Sequence, residues 1–506
     1  MDDLREIIQT LEEDDKKEFR HFLNRVRQKG NRKDVALFNI LQEEKEYKAG
    51  EIIQKLYGGK GKEAYYALRK RLNEQITDFV VLKIKRDDST AISSVMGYLN
   101  LSQYLYDQKR RRLAYKYLEK ARLLAEEIEH YELLNAVYNL LIDKKEWRSD
   151  SELKKMITLH GKNKTKLEQD EKINQANGII KYKLIQYQKE TKTIDFNKLT
   201  SKVFSDFGLT NDVLVSPKVL HKLMSLSRNT IIAKKDFNSF EPFVIGKYKE
   251  LLKQGSFTDK VVFYQMGILY FIAHTLYRNK KFEDAKEYLK QFKTCLEGAG
   301  NTYFVFYYPK LMQLTAAISV FSNNLLNAQN CLDELLENKR LNLDHSDRLN
   351  IIVNRGINHF LLGDLASAHK VLLSIYHTDK WCEKVMGKEW VLKKNLMEII
   401  LYFDMDKTEV AESRLRSVER TYSSMFKHPM YKRVKGFLSL IKFVIMNPNE
   451  ASSEKFQVVV EEAIDWKPFE QEDLQAMGFY AWLKSKMQNR NMYEVWMELA
   501  KIEKEQ

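Results

Sequence analysis

Residues 356–376 read GINHFLLGDLASAHKVLLSIY, and this stretch carries the strongest structural signal in the chain. Apolar residues recur every three or four positions on both sides of Gly363 and Asp364, a pattern typical of two amphipathic helices joined by a tight turn. Gly356 and Ala368 are small residues, one in each predicted helix, that would let the two helices pack closely. The stretch therefore predicts a helical hairpin.

The same pattern recurs in three other stretches: NKKFEDAKEYL, NNLLNAQNCL and DKTEVAESRL. Each has a polar turn, an apolar residue, and then a small residue that begins an apolar helix. The aligned alanines are spaced 43, 40 and 43 residues apart, at Ala285, Ala328, Ala368 and Ala411. A repeat of this length is typical of a solenoid built from helix hairpins.

A second small position supports the alignment. Twelve residues before the first three alanines stand Ala273, Ala316 and Gly356, and Ser102 keeps the same offset before Ala114. Small residues there would allow close packing of the two helices of a hairpin. The predicted repeat-packing residues are Ala273, Ala285, Ala316, Ala328, Gly356, Gly363, Ala368 and Ala411.

The stretch 356–376 resembles a tetratricopeptide repeat. Gly356 matches the small first-helix position of that family, Gly363 and Asp364 match its turn, and Ala368 matches its second-helix alanine. Three features depart from the family: the period is 40 to 43 residues where the family has 34, Ile399 replaces the small residue in the fourth unit, and the closing proline is missing. The resemblance extends over about 265–425 and implies a groove that grips a peptide or a partner helix.

Composition supports a helical chain, since the 506 residues include only 19 glycines and 6 prolines, the two residues that interrupt helices. The predicted fold is all-α, with an N-terminal helical module followed by an α-solenoid of tetratricopeptide-like hairpins. The predicted domains are a module with a basic helix over 1–90, irregular hairpins over 91–240 and the repeat array over 241–506. The N-terminal segment also resembles the start of bacterial helical-repeat proteins of uncharacterised function.

The glycine-rich stretch LYGGKGKEA, residues 56–64, raises the question of a phosphate-binding loop. Such a loop needs a glycine, four residues, and then Gly-Lys followed by Ser or Thr. With Gly61 and Lys62 as the Gly-Lys pair, Leu56 stands in place of the first glycine and Glu63 in place of the hydroxyl residue. The stretch therefore predicts a turn between helices, with a weak anion contact as the alternative.

Lys and Arg exceed Asp and Glu by 14, which favours an acidic partner or reflects a solvated lysine-rich surface. Basic runs concentrate in the first quarter of the chain. The turn near Asp107 favours placing the run 108–116 at the end of the preceding helix, where cations suit the helix dipole. The candidate contacts to an acidic partner or phosphate are Lys60, Lys62, Arg69, Lys70, Arg71, Lys83, Lys85, Arg86, Lys109, Arg110, Arg111 and Arg112.

Catalytic and metal-binding motifs do not emerge from the sequence. His359, His369 and His377 lack the spacing of metal ligands, and the three cysteines are far apart, which fits a reducing cytoplasm. The longest uncharged stretch, 261–277, is too short to span a membrane. We therefore predict no enzyme activity, no metal or cofactor, no small-molecule substrate and no membrane span.

These observations predict a cytoplasmic adaptor or scaffold that binds a protein or peptide partner in the groove of the repeat array, with polar side chains of the inner helices holding the ligand. The first alternative is an RNA- or ribosome-associated factor anchored by the basic N-terminal quarter. A further alternative is a transcriptional regulator. It is the weakest of the three, because residues 1–90 show no convincing helix-turn-helix.

Overall fold

The structure, a computed structural model, describes residues 3–11, 13–26, 32–43, 47–87, 91–147, 149–189, 196–209, 216–234, 237–301, 303–341, 343–428, 431–463 and 472–501. These residues form twenty-five α-helices and a few short 3-10 turns, with no β-strand among them. Consecutive helices pack as antiparallel pairs, so the predicted all-α solenoid class is confirmed.

The chain forms two compact units, Met1–Asp170 and Glu171–Gln506. The division falls within α9, a helix of 40 residues. The helices of the first unit, with α9, are α1 Asp3–Thr10, α2 Glu13–Val26, α3 Lys33–Gln42, α4 Ala49–Tyr57, α5 Lys62–Asp87, α6 Ala91–Asp107, α7 Arg111–Glu127, α8 Tyr131–Lys144 and α9 Asp150–Lys189.

The first unit contains two hydrophobic clusters. One joins α1 to α5, where side chains spaced three or four residues apart bury one face of α5: Tyr65, Leu68, Leu72, Ile76 and Phe79. The other joins α6, α7 and α8 around Leu118 and Tyr138. The period of apolar residues in α5 is that of an amphipathic helix, which explains why it folds as one long element.

The second unit continues with sixteen helices. They are α10 Phe196–Asp206, α11 Pro217–Lys234, α12 Phe237–Lys253, α13 Val262–Arg278, α14 Phe282–Gly298, α15 Phe304–Phe321, α16 Leu325–Glu337, α17 His345–Leu361, α18 Leu365–Leu373, α19 Asp379–Met386, α20 Lys388–Asp404, α21 Thr408–Thr421, α22 Lys432–Met446, α23 Glu454–Ala463, α24 Leu474–Gln488 and α25 Met492–Lys501. The long uncharged stretch lies in α13, which is mostly buried. Within the described residues, no helix is long and apolar enough to cross a membrane.

The hairpins α6–α7, α13–α14, α15–α16, α17–α18 and α20–α21 share one turn geometry. In each, one residue has a positive φ: Lys109, Lys280, Asn323, Gly363 and Asp406. The next backbone N–H donates to the carbonyl five positions earlier, as from Asp364 to His359 at 3.0 Å. This pairing satisfies the carbonyls at the end of the first helix and sets the angle at which the second helix returns.

The small residues predicted from the repeats lie inside these hairpins. Seven of the eight are buried, namely Ala273, Ala285, Ala316, Ala328, Gly356, Ala368 and Ala411, and Gly363 occupies the turn at φ 80°. A Cβ at Gly356 would lie 2.9 Å from Cδ2 of Leu372. The repeat therefore reflects close helix packing at one point in each hairpin.

Gly363→Ala is expected to lower the free energy of unfolding of the α17–α18 hairpin by about 1 kcal/mol, because an L-residue is strained at this φ. Asp406→Gly, at the equivalent position of α20–α21, is the matched control and should not destabilise its hairpin. Hydrogen exchange of both hairpins in each variant measures the two effects. Equal destabilisation by both substitutions would contradict the role assigned to the turn.

The favoured placement of the basic run 108–116 is wrong. Lys109 lies in the turn at φ 60°, and α7 begins at Arg111, so Arg111 and Arg112 open a helix. Cations at a helix N-terminus oppose the dipole at a cost of about 0.3–1 kcal/mol each. Arg111 forms an ion pair with Glu146, which offsets part of that cost.

Hairpin pairs continue beyond the end of the sequence resemblance, which lies near residue 425. A connection containing the 3-10 turn Pro448–Glu450 joins α22 to α23, and a turn with Asn489 at φ 49° joins α24 to α25. The sequence signal is weak here because the α22–α23 connection is longer and because two residues, where the other hairpins have one, separate the positive-φ residue of the α24–α25 turn from the second helix.

Candidate functional site

Two clefts occupy equivalent positions in the array of the second unit. The first has a volume of about 830 Å³ and is lined by α14, α15 and α16. The second has a volume of about 810 Å³ and is lined by α18, α20 and α21 together with the segment that leads into α19. In each cleft, the first helix of one hairpin lies between the second helices of that hairpin and of the preceding one.

The α14–α16 cleft combines an apolar base with a row of cations. Its base includes the side chains of Leu289, Leu311 and Ile318, which are buried in the array. Lys286, Lys290 and Lys293 line the same cleft at i, i+4 and i+7 of α14 and therefore share one face of that helix. This cleft offers hydrophobic contact beside positive charge.

Two glutamates, a tyrosine and a cysteine also line the α14–α16 cleft. The Tyr308 hydroxyl donates to a carboxylate oxygen of Glu334, and burial together with that carboxylate raises the pKa of Tyr308. Burial likewise raises the pKa of the Cys331 thiol, which keeps it a poor nucleophile. Glu297 lies at the end of α14. These groups line the cleft without forming an activated nucleophile.

The α18–α21 cleft contains an ion-pair network of two cations and two anions. Lys394 lies 3.1 Å from Asp379 and 2.7 Å from Glu398, and Arg414 lies 3.0 Å from Asp379 and 2.8 Å from Glu398. Asn395 donates to Asp379 and accepts from Arg414. Burial opposes ionisation of Asp379, but Lys394 and Arg414 outweigh it and lower the pKa of that carboxyl.

Exposed apolar side chains lie next to this network. Leu373 and Val410 line the cleft and are 61% and 45% exposed, and Tyr376, close by in the chain, is 84% exposed. Exposed apolar groups beside satisfied charges are typical of a surface that contacts another macromolecule.

The last hairpin, α24–α25, packs against the first helices of four other hairpins. Polar contacts join Arg278 of α13 to Asp473, Arg433 of α22 to Glu472, and Lys486 to Asp404 of α20 at 2.7 Å. The side chains of Asp473 and Glu472 are only 3% exposed. The chain itself therefore covers part of the surface formed by its first helices.

Aromatic rings fill the space between α24–α25 and these first helices. Phe321 of α15 stacks on Phe282 with centroids 4.7 Å apart and meets Trp496 of α25 edge-on at 5.1 Å. The Tyr493 hydroxyl donates to the carbonyl of Val320 at 2.5 Å. The aromatic content of the sequence is thus used in packing at this surface.

The basic residues predicted to contact phosphate lie on the first unit. Lys60, Lys62, Lys70, Arg71 and the run Lys109, Arg110, Arg111 and Arg112 are exposed. Arg69 is half-buried and hydrogen-bonded to Tyr65, and Lys83 is paired with Asp15. The side chains of Lys85 and Arg86 lie outside the described residues. The runs at 69–71 and 109–112 belong to elements with separate hydrophobic clusters.

The positive charge of the chain is distributed in proportion to length. Residues 1–170 contain 35 Lys and Arg against 30 Asp and Glu, and residues 171–506 contain 49 against 40. The first unit is therefore not unusually basic. The hypothesis of a phosphate-binding N-terminal quarter stays a prediction without added support from charge.

The glycine-rich stretch 56–64 forms the turn between α4 and α5. Gly58, Gly59 and Gly61 have φ values of 64°, 88° and 108°. The N–H of Gly58 donates to Gln54 at 3.0 Å, so this amide is used within the turn. The positive φ of Gly59 explains the need for glycine there, because an L-residue is strained in this conformation.

The three histidines that the sequence brought forward, His359, His369 and His377, make separate contacts. His377 stacks on Trp381 with centroids 3.5 Å apart, His369 contacts Tyr402, and His359 lies 3.7 Å from Asp364. In the described part of the chain, no group of three or more His, Cys, Asp or Glu is placed to hold a metal ion.

The pKa of His221 in α11 is shifted far from its ordinary value. His221 lies against the rings of Phe263, Tyr264 and Phe271, and burial lowers its pKa to about 4. Sequence reasoning did not single it out, because its surroundings come from α13, about forty residues away. Its contacts are those of a packed core residue.

Acidification is expected to destabilise the core around His221. Its unfolded pKa is near 6.5, so the unfolded state binds the proton more tightly, and stability present above pH 6.5 is lost as the pH falls toward 4. The expected loss is about 2 kcal/mol between pH 7 and pH 5. Hydrogen exchange of the α13 amides, corrected for intrinsic rates, measures it. His221→Phe should remove this dependence, and an unchanged pH profile in that variant would refute the assignment.

Sequence reasoning missed both clefts. The lysine spacing in residues 286–293 is visible in the sequence and could have indicated one cationic helix face. The network of Asp379, Lys394, Glu398 and Arg414 comes from three helices and has no local signal. Comparison of the chain with protein-family models, curated proteins and solved structures finds no match.

Proposed function

We propose that this chain is a non-enzymatic, cytoplasmic adaptor whose tetratricopeptide-like repeat array binds a partner protein. The observation that supports this proposal most strongly is the pair of clefts at equivalent repeat positions, each lined by two second helices and one first helix. Repeat arrays of stacked hairpins characteristically bind proteins along such extended surfaces.

The proposed binding surface differs from the groove of inner helices that the resemblance implies. Contacts from α24–α25 reach α13, α15, α20 and α22, so a partner on these first helices would compete with the chain itself. The α18–α21 cleft presents the exposed side chains of Leu373 and Val410, and the α14–α16 cleft presents the half-buried Phe304 and Met312, on surfaces formed mainly by second helices. We therefore assign partner binding to the cleft side of the array.

Site-specific photo-crosslinking tests this function. The crosslinker p-benzoyl-phenylalanine is placed at Met312 in one cleft, at Tyr376 beside the other, and at Tyr66 in the first unit as a control. We expect the same protein to crosslink from Met312 or Tyr376 with and without nuclease, and not from Tyr66. Crosslinks only to nucleic acid, or association that nuclease abolishes, would overturn the proposal in favour of the RNA-associated alternative.

A further inference from the structure

We propose that the α14–α16 cleft binds an acidic amphipathic helix of a partner protein. This inference rests on the proposed adaptor function and names the chemistry of its partner. Three features of the cleft carry it: its length, its apolar base and its row of lysines.

The length of the cleft matches a short helix. The lining residues of α14 run from Lys286 to Glu297, eleven residue steps along one helix. At 1.5 Å per residue this is about 16 Å, or three helical turns. A partner helix of three to four turns would therefore span the cleft.

The apolar base selects a helix with one apolar face. Leu289, Leu296 and Leu311 line the cleft but are already buried in the array, so the apolar surface that a partner can reach comes from Phe304 and Met312, which line the cleft and are half-buried. Apolar residues at i, i+4 and i+7 of a partner would meet this base. Methionine suits such a site because its flexible side chain adapts to different partner residues. A nucleic-acid backbone would leave this apolar surface uncovered.

The lysines select the charge of the partner. Lys286 and Lys293 have side chains 40% and 67% exposed, and Lys290 is exposed between them. Glu283 lies 2.8 Å from Lys286, Glu297 lies 3.9 Å from Lys293, and Glu334 also lines the cleft, so only part of the lysine charge is left for a partner. Carboxylates on one flank of the partner helix would add opposite charges along the same face.

A synthetic peptide provides the test. The probe is a fourteen-residue helical peptide with Leu at i, i+4 and i+7 and Glu along one flank, labelled for fluorescence anisotropy. A second peptide replaces each Glu by Lys, and a third scrambles the sequence so that the apolar face is lost. We expect the full-length protein to bind the acidic peptide, with binding weakened by added salt, and to bind neither control peptide measurably.

Variants of the protein locate the binding to the cleft. Lys290→Glu with Lys293→Glu should weaken binding of the acidic peptide about tenfold or more, since two attractive contacts become repulsive. Lys249→Glu with Lys253→Glu on α12 changes the charge equally and should leave binding unchanged. Met312→Glu should abolish it by placing a charge on the apolar base.

The outcomes separate this inference from the adaptor function. Equal binding by both double variants, or equal binding of the Glu and Lys peptides, would overturn the acidic-helix assignment. The photo-crosslinking at Met312 and Tyr376 can still identify a partner in that case, so the adaptor function would stand alone. Binding lost only in the cleft variants supports the inference whatever the crosslinked partner is.

Discussion

Arg278→Ala is expected to release the last hairpin, α24–α25, from the array. The Arg278 guanidinium pairs with Asp473, whose side chain is only 3% exposed and also accepts the backbone N–H of Gln475 at the start of α24. Removing the cation breaks the ion pair of a buried carboxylate, at a cost of about 3–5 kcal/mol. Hydrogen exchange over residues 474–501 should show a free energy of opening that is lower by that amount, with smaller changes elsewhere in the array.

Arg490→Ala is the matched control. Arg490 pairs with Glu498 inside the same hairpin, but their side chains are 39% and 56% exposed. Exposed ion pairs contribute little to stability, so hydrogen exchange in this variant should be close to that in the parent protein. If Arg278→Ala and Arg490→Ala behaved alike, the contact between Arg278 and Asp473 would not hold the hairpin in place.

Gly267→Ala is expected to destabilise the core of the second unit by about 3 kcal/mol, although alanine is the better helix former by about 1 kcal/mol. A Cβ at Gly267 would lie 2.2 Å from Cδ2 of His221 and 2.8 Å from Oη of Tyr307. Neither group can move freely, because His221 is packed among aromatic rings and the Tyr307 hydroxyl donates to the carbonyl of Phe263 at 2.7 Å. A lower midpoint of thermal unfolding and faster exchange in α13 would show the effect.

Gly246→Ala in α12 separates sterics from helix propensity. No atom lies within 4 Å of the Cβ position there, so this substitution should stabilise the protein by up to about 1 kcal/mol. His221→Ala combined with Gly267→Ala should restore part of the loss, because it removes the nearest obstructing atoms. Stabilisation by Gly267→Ala alone would contradict the close approach of α11 and α13.

The packing of α24–α25 against the array also bears on function. Ion pairs and aromatic contacts join α24–α25 to the first helices of four hairpins, namely α13, α15, α20 and α22. These first helices therefore do not present a fully open groove. A variant that releases the hairpin would expose them. Comparing crosslinking at Met312 in Arg278→Ala and in the parent protein shows whether partner binding in the cleft depends on the closed arrangement.

The sequence by itself determined the helical class and the positions of the central hairpins. Gly356, Gly363 and Ala368 report local requirements, namely a small contact in each helix and a positive φ in the turn. Such requirements act between residues close in the chain, so they leave a periodic trace that can be read without knowing the fold. The α24–α25 hairpin escaped that reading, because its positive-φ residue, Asn489, stands one position further from the second helix than in the other hairpins.

Only the tertiary structure decided which surfaces are open. The contact between Arg278 and Asp473 joins residues 195 positions apart, and Asp379 meets Arg414 across three helices. Pairings of this kind depend on how hairpins stack, and many partners of opposite charge are available to each residue. The lysine face of α14 was partly predictable from the sequence. The spacing of its lysines is local, but the cleft beside them is completed by α15 and α16. Residue type and spacing constrain only weakly how the helices pack against one another. That packing thus determined the candidate binding site.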